Sequence, residues 1–252
     1  MHLFFVSPGQ IAGDQIRITG SDVNHIRSVL RMKPGDEFEA RTGEDELIYH
    51  CWIETIAQEE VTGKVLWTVE AETELPSRIT LYQALPKSDK MEWIIQKTVE
   101  LGIFRIVPVE TARCVVRLKG DKAAARVRRW NAVAESAAKQ SGRSFIPEVS
   151  GVMSFEEALK DAASNDHVLI PYEKAGDMDH TRAILSGIRP GETAAIFIGP
   201  EGGFEREEVE TAVRSGAGAV TLGRRILRTE TAGMTLLAAM MIALEGRPSE
   251  KD

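Results

Sequence analysis

Two short stretches carry residue types that hold a small molecule against bare main chain. The first is Ile198-Gly199-Pro200-Glu201-Gly202-Gly203-Phe204, between an apolar run and a helical pattern. Glycines at a strand end let the backbone approach a ligand closely, and open α/β sheets bind ligands beyond the carboxyl ends of their strands. The second is Leu222-Gly223-Arg224-Arg225-Ile226-Leu227-Arg228-Thr229-Glu230-Thr231-Ala232-Gly233, also between a strand and a helix. Thr229 reads as an N-cap, and Glu230 suits the positive helix end. Ala232 and Gly233 are small, while Leu222, Ile226 and Leu227 offer apolar walls for a flat ring. On neighbouring strands the two loops would lie side by side as an apolar, glycine-lined slot suited to an adenosine moiety. The spacing is neither GxGxxG nor a P-loop, which disfavours dinucleotides and nucleoside triphosphates. Two plainer readings stay open: an ordinary Gly-Pro turn, and a basic loop with core leucines.

These loops need a scaffold, and the chain divides in two. Residues 1–74 read as short strands broken by turn chemistry at Gly13-Asp14, Pro34-Gly35-Asp36 and Thr62-Gly63-Lys64. Ile16–Thr19 and Val65–Val69 have strand composition. Ser21–Met32 reads as one helix capped by Ser21 or Asp22, with Val23, Ile26, Val29 and Leu30 on one face. This pattern predicts a small β-barrel. The polar, proline-containing stretch 70–77 is the expected linker. From 75 to 252 the rhythm alternates. Strands are expected at 79–85, 104–109, 167–170, 193–198 and 219–222, and helices at 88–101, 122–140, 177–185, 205–215 and 229–244. That is a βαβ order and a mostly parallel sheet covered on both faces.

The chain of 252 residues is 43% hydrophobic and 27% charged, an ordinary globular composition. No apolar run reaches the roughly 18 residues of a spanning helix, and Met1–Phe5 does not look like a signal peptide. Cys51 and Cys114 suggest neither a disulfide framework nor a zinc site, so reduced thiols and a cytoplasmic location are expected. The net charge of −7 is segregated: the middle third is basic and both flanks are acidic. A basic stretch in an acidic chain either steers a polyanion or lies on solvated helix faces.

The linked motifs 199–203, 222–223 and 226–232 resemble the SPOUT methyltransferases and, more narrowly, the RsmE family of 16S ribosomal RNA uridine-N3 methyltransferases. Leu85-Pro86-Lys87, Lys90-Met91-Glu92, Ile95-Gln96-Lys97 and Val99–Gly102 are similar to that family's first helix. Trp130, Glu135, Ala138, Gln140-Ser141 and Arg143 are similar to its next helical motif, where Lys139 stands in place of an expected Glu. His25 with Val29-Leu30-Arg31 resembles the motif of its N-terminal RNA-binding domain.

The resemblance implies a C-terminal trefoil-knotted α/β domain, 75–252, behind a PUA-like β-barrel, 1–74. Knots are rare among folds. It implies S-adenosylmethionine as cofactor, held by Ile198, Gly199, Pro200, Glu201, Gly202, Gly203, Leu222, Gly223, Ile226, Leu227, Arg228, Thr231 and Ala232, with no metal and no membrane. It further implies 16S rRNA as substrate, within the 30S subunit, and a homodimer packed through the knot. The helix 229–244 would serve that interface or ordinary core packing.

Methylation of N3 needs alignment and stabilisation of an imide anion. Arg228 suits the electrostatic part, or else a phosphate contact or loop pinning. Glu201 would orient Arg228, accept a hydrogen bond or take the proton. His25, Arg31, Lys87, Lys90, Arg113, Arg117 and Arg143 are candidate RNA contacts, or solvated charges. Competing readings are the same chemistry on transfer RNA, a non-catalytic RNA-binding assembly factor, and a small-molecule nucleotide enzyme.

Overall fold

The computed structural model describes residues 1–173 and 175–245. The chain forms two compact units, one of residues 1–74 with 138–146, the other of 75–137 with 147–252.

In the first unit the elements are β1 (His2–Phe5), β2 (Ile11–Ala12), β3 (Gln15–Thr19), α1 (Ser21–Asn24), β4 (Glu37–Arg41), β5 (Leu47–Ile56) and β6 (Glu60–Glu70). They make a six-stranded sheet in the order β1-β4-β5-β6-β3-β2. Only β1 and β4 run parallel. Alternation does the sorting: Ile16 and Ile18 point inward from β3, and Cys51 and Ile53 from β5, onto Phe4, Ile26, Phe38 and Val61. Burial pushes the Cys51 thiol up to about 12, so it is an inert core residue.

The single helix expected over 21–32 is a short α1 that passes into a π-helical turn, His25–Leu30, with Gly20 rather than Ser21 or Asp22 at the cap. The wider turn rotates Val29 away from the core, leaving it exposed beside buried Val23 and Ile26. The expected linker is largely built into this unit. β6 runs to Glu70, and Glu74 accepts from the backbone N–H of Ser144 (3.2 Å) and Phe145 (3.3 Å) and from the Arg143 guanidinium.

The second unit contains β7 (Arg78–Ala84), α2 (Lys90–Glu100), β8 (Arg105–Glu110), α3 (Gly120–Ser141), β9 (Glu148–Val149), β10 (Met153–Ser154), α4 (Phe155–Ala162), β11 (His167–Pro171), α5 (Met178–Gly187), β12 (Thr193–Ile198), α6 (Arg206–Arg214), β13 (Gly218–Val220) and α7 (Thr229–Leu244). The last residues of α3, from Ala138, belong to the first unit. The sheet runs β10-β8-β7-β12-β11-β13, with β9 beside β8, and every pairing is parallel.

β12 is buried from Ala194 to Ile198, as a strand covered on both faces must be. Tyr82 of β7 stacks on Phe197 of β12 at 4.5 Å and anchors one core, with Phe155 and Phe204 packed on it. The sequence reading does not anticipate β9, β10 or α4. For α4 a signal exists: Ser154 and Glu157 form a capping box, the local signature of a helix start.

Candidate functional site

The two glycine-containing turns border one cleft of about 660 Å³ at the carboxyl ends of the strands. The run Ile198–Gly203, with Leu222, Gly223, Ile226, Leu227, Arg228 and Ala232, lines it, and Thr231 does not. The strands beneath are not neighbours, as the sequence suggested. β11 lies between β12 and β13, and its end adds Pro171, Tyr172 and Glu173 to the cleft. Nothing local marks those three residues; sheet order alone brings them there. Ile226 is 96% exposed, so it is a rim residue rather than an apolar wall, while Leu222 and Leu227 are half-buried.

The first turn is shaped by two glycines. Gly203 has φ +67° and donates its N–H to the Pro200 carbonyl at 2.9 Å. A Cβ on Gly199 would stand 3.2 Å from the Gly203 carbonyl carbon and the Phe204 nitrogen. The turn folds back on itself at Gly199, where a side chain would press on the backbone and require it to give by a few tenths of an ångström.

Thr229 is not the N-cap of α7; Arg228 holds that position. Thr229 instead ties the turns together. Its buried hydroxyl donates to the Gly199 carbonyl (2.6 Å) and accepts from the Gln83 side-chain amide (2.9 Å). Gln83, fully buried in β7, pairs in register with Ile198 at the start of the first turn. Gln83 was missed by the sequence reading because a polar residue at a strand end is not distinctive until its partner is known.

Glu201 does not meet Arg228. It accepts from the Lys90 ammonium (3.0 Å) and the Lys87 backbone N–H (3.1 Å). Burial pushes its carboxyl up, but the Lys90 hydrogen bond, its own backbone N–H and Lys87 outweigh that, leaving it below the ordinary carboxylate range. Its conjugate acid therefore forms only at acid pH, and Glu201 is a weak proton acceptor near neutrality. Lys90 also pairs with Glu230 at 3.3 Å, and its own proton affinity is raised, first by the Glu201 hydrogen bond.

The candidate RNA contacts divide by environment. Arg143 is buried against Glu74 and is structural. Lys90 is engaged as described. Arg113 donates to the Gly202 carbonyl at 2.8 Å and braces the first turn. Arg117 lies near Glu110 (3.6 Å) and donates to the Ala112 carbonyl. His25, Arg31 and Lys87 are exposed, as are Arg224, Arg225 and Arg228 around the cleft rim. Cys114 is buried beside Thr111.

The cleft suits S-adenosylmethionine in kind: main chain at the Gly199 and Gly203 turn, half-buried leucines, and a volume within the roughly 300–1,000 Å³ of small-molecule sites.

Comparison with known proteins bears on the same residues. The RNA methyltransferase domain family matches 73–241, a span that contains both turns, and the RNA methyltransferase PUA domain family matches 18–66. The ribosomal RNA small subunit methyltransferase E of Bacillus subtilis is 38% identical over 90% of each chain. That of Mycobacterium bovis is 32% identical over 94% of this chain and 90% of its own. A crystal structure of the Neisseria gonorrhoeae ribosomal RNA small subunit methyltransferase E, bound to S-adenosyl methionine, superposes with a TM-score of 0.80 at 33% identity, covering 95% of this chain and 96% of that one. Sequence, domain order and fold agree along nearly the whole length, and the chain belongs to the ribosomal RNA small subunit methyltransferase E family.

Proposed function

We propose that this protein transfers a methyl group from S-adenosylmethionine to N3 of one uridine in 16S rRNA, in the 30S subunit, as a cytoplasmic homodimer. The observation that carries the reading is the single cleft formed by the turns at Gly199 and Leu222 in a chain of this family. S-adenosylmethionine, when bound, supplies an electrophilic methyl on a sulfonium.

The chain's own residues do the rest. Gly199 and Gly203 present main chain to the cofactor, and Leu222 and Leu227 flank its ring. Arg228 meets the charge that develops on the carbonyl oxygens beside N3, where a fixed cation lowers the barrier. Glu201, held anionic by Lys90, anchors the first turn to the segment before α2. Arg224 and Arg225 face phosphates, and His25, Arg31 and Lys87 offer further contacts, which add affinity more than sequence information. The target base must leave its stack, and exposed Ile226 at the rim is placed to fill the gap.

The trefoil knot and the dimer belong to this proposal. α7 buries Leu236, Leu237, Met240 and Leu244, while Thr235, Ala239 and Ile242 form an outward stripe that a second copy would cover.

Labelled methyl transfer to naked 16S rRNA, assembled 30S subunits and transfer RNA tests the substrate. N3 methylation blocks the pairing edge, so reverse transcription of the product should stop at a single uridine on the small-subunit RNA. A methyl group on a ribose or on another RNA would refute the assignment.

The Thr229 tie makes a second prediction. Thr229→Val leaves the buried Gly199 carbonyl without its hydroxyl donor, at about 1–3 kcal/mol, while the Gln83 amide keeps its bond to the Ala84 carbonyl at 3.0 Å. Calorimetry should show S-adenosylmethionine affinity down roughly tenfold or more, with Thr229→Ser close to the parent. Unchanged affinity in the valine variant would mean that the tie does not shape the turn.

A further inference from the structure

The outer face of the first unit's sheet carries aromatic rings that the methyl-transfer reading does not use. Cross-strand register aligns Glu37, Trp52 and Lys64 in one row and Glu39, His50 and Trp67 in the next. Ile48 and Val69 form the row beyond. Trp52 is 40% exposed and Trp67 50%. The His50 ring stacks on the Trp67 indole at 4.8 Å and 18°, which covers one face of an indole that is still half exposed. Leu66 and Val69 are exposed beside it.

Charge decides what such a surface attracts. Residues 1–74 contain 14 Asp and Glu against 6 Lys and Arg. Among β4, β5 and β6 the cations are Arg41 and Lys64. Arg41 is buried, donates to the Gly142 carbonyl and lies 3.9 Å from the Glu39 carboxylate, and Lys64 pairs with Asp14 at 3.1 Å. Platforms that stack RNA bases line their aromatics with free cations to track the phosphates. This face offers Glu37 and Glu39 instead, so a polyanion would be repelled. A guanidinium is attracted twice, by the half-exposed indole and by the carboxylates, and it is the cation that stacks flat on an aromatic ring.

We propose that the β4–β6 face docks an arginine-rich protein segment, with a guanidinium on Trp67 and a further arginine paired to Glu37. This interaction is separate from methyl transfer and places a protein partner, not RNA, against this side of the unit.

The test uses the full chain and a fluorescein-labelled dodecapeptide of alternating arginine and glycine, read by anisotropy at low and physiological salt. Binding should weaken with salt, fall roughly tenfold in Trp67→Ala, and fall also in Glu37→Gln, an exposed position outside the core. The matching lysine-glycine peptide should bind several-fold more weakly, because an ammonium does not stack. Methyl transfer by the Trp67 variant should match the parent. Equal peptide affinity in parent and variants overturns the proposal. So does an oligouridylate of the same length whose binding depends on Trp67, or light scattering that shows Trp67→Ala separating two copies of the chain.

Discussion

Arg228→Ala should slow single-turnover methylation by about 10²–10³-fold, the usual cost of removing one donor aimed at a developing oxyanion. Affinity for S-adenosylmethionine should change little. The backbone of Arg228 is fixed: its carbonyl accepts from the Thr231 and Ala232 N–H groups, both at 2.9 Å, and the next residue is the buried Thr229. The side chain is exposed and borders the cleft, so removing it opens no core cavity. Arg228→Lys keeps the charge but loses the planar fork, and should recover only part of the rate. The measurement is the rate of labelled methyl transfer at saturating cofactor, beside calorimetric cofactor affinity. An unchanged rate removes Arg228 from the chemistry. A raised KM for RNA with kcat intact would make it a phosphate contact instead.

The second large effect concerns the first unit. Arg143, a candidate RNA contact in the sequence, should matter for stability. Arg143→Ala strands Glu74, a side chain 13% exposed whose carboxylate also gathers the N–H groups of Ser144 and Phe145. Removing one partner of a buried ion pair costs about 3–5 kcal/mol. Denaturant unfolding followed by tryptophan fluorescence should show that loss. RNA affinity per folded molecule should stay near the parent value. A variant with parental stability and weakened RNA binding would restore the surface reading.

Local physics explains what was legible. β12 coincides with the expected 193–198, and α7 with 229–244, because a short β-branched apolar run suits a strand covered on both faces and a sixteen-residue stretch rich in Ala, Leu and Met suits a helix. The turn at 199–203 was visible because its glycines and proline permit little else. The helix over 21–32 was half right: the apolar spacing marks a helix, but a π-helical turn depends on how that segment seats against the core of the six-stranded sheet. Helix α4 announced itself through Ser154 and Glu157 and was readable.

By itself, then, the sequence determined the alternation of strands and helices in the second unit apart from β9, β10 and α4, the position of both turns and the family, since periodicity, turn residues and linked motifs are properties of neighbours along the chain. Tertiary structure decided the pairings. It inserted β11 between β12 and β13, set Thr229 between Gly199 and Gln83, drew Glu201 to Lys90 rather than Arg228, and buried Arg143 against Glu74. Each of these joins residues distant in sequence, and which distant residues meet follows from strand order and burial, quantities that no local window of the chain contains.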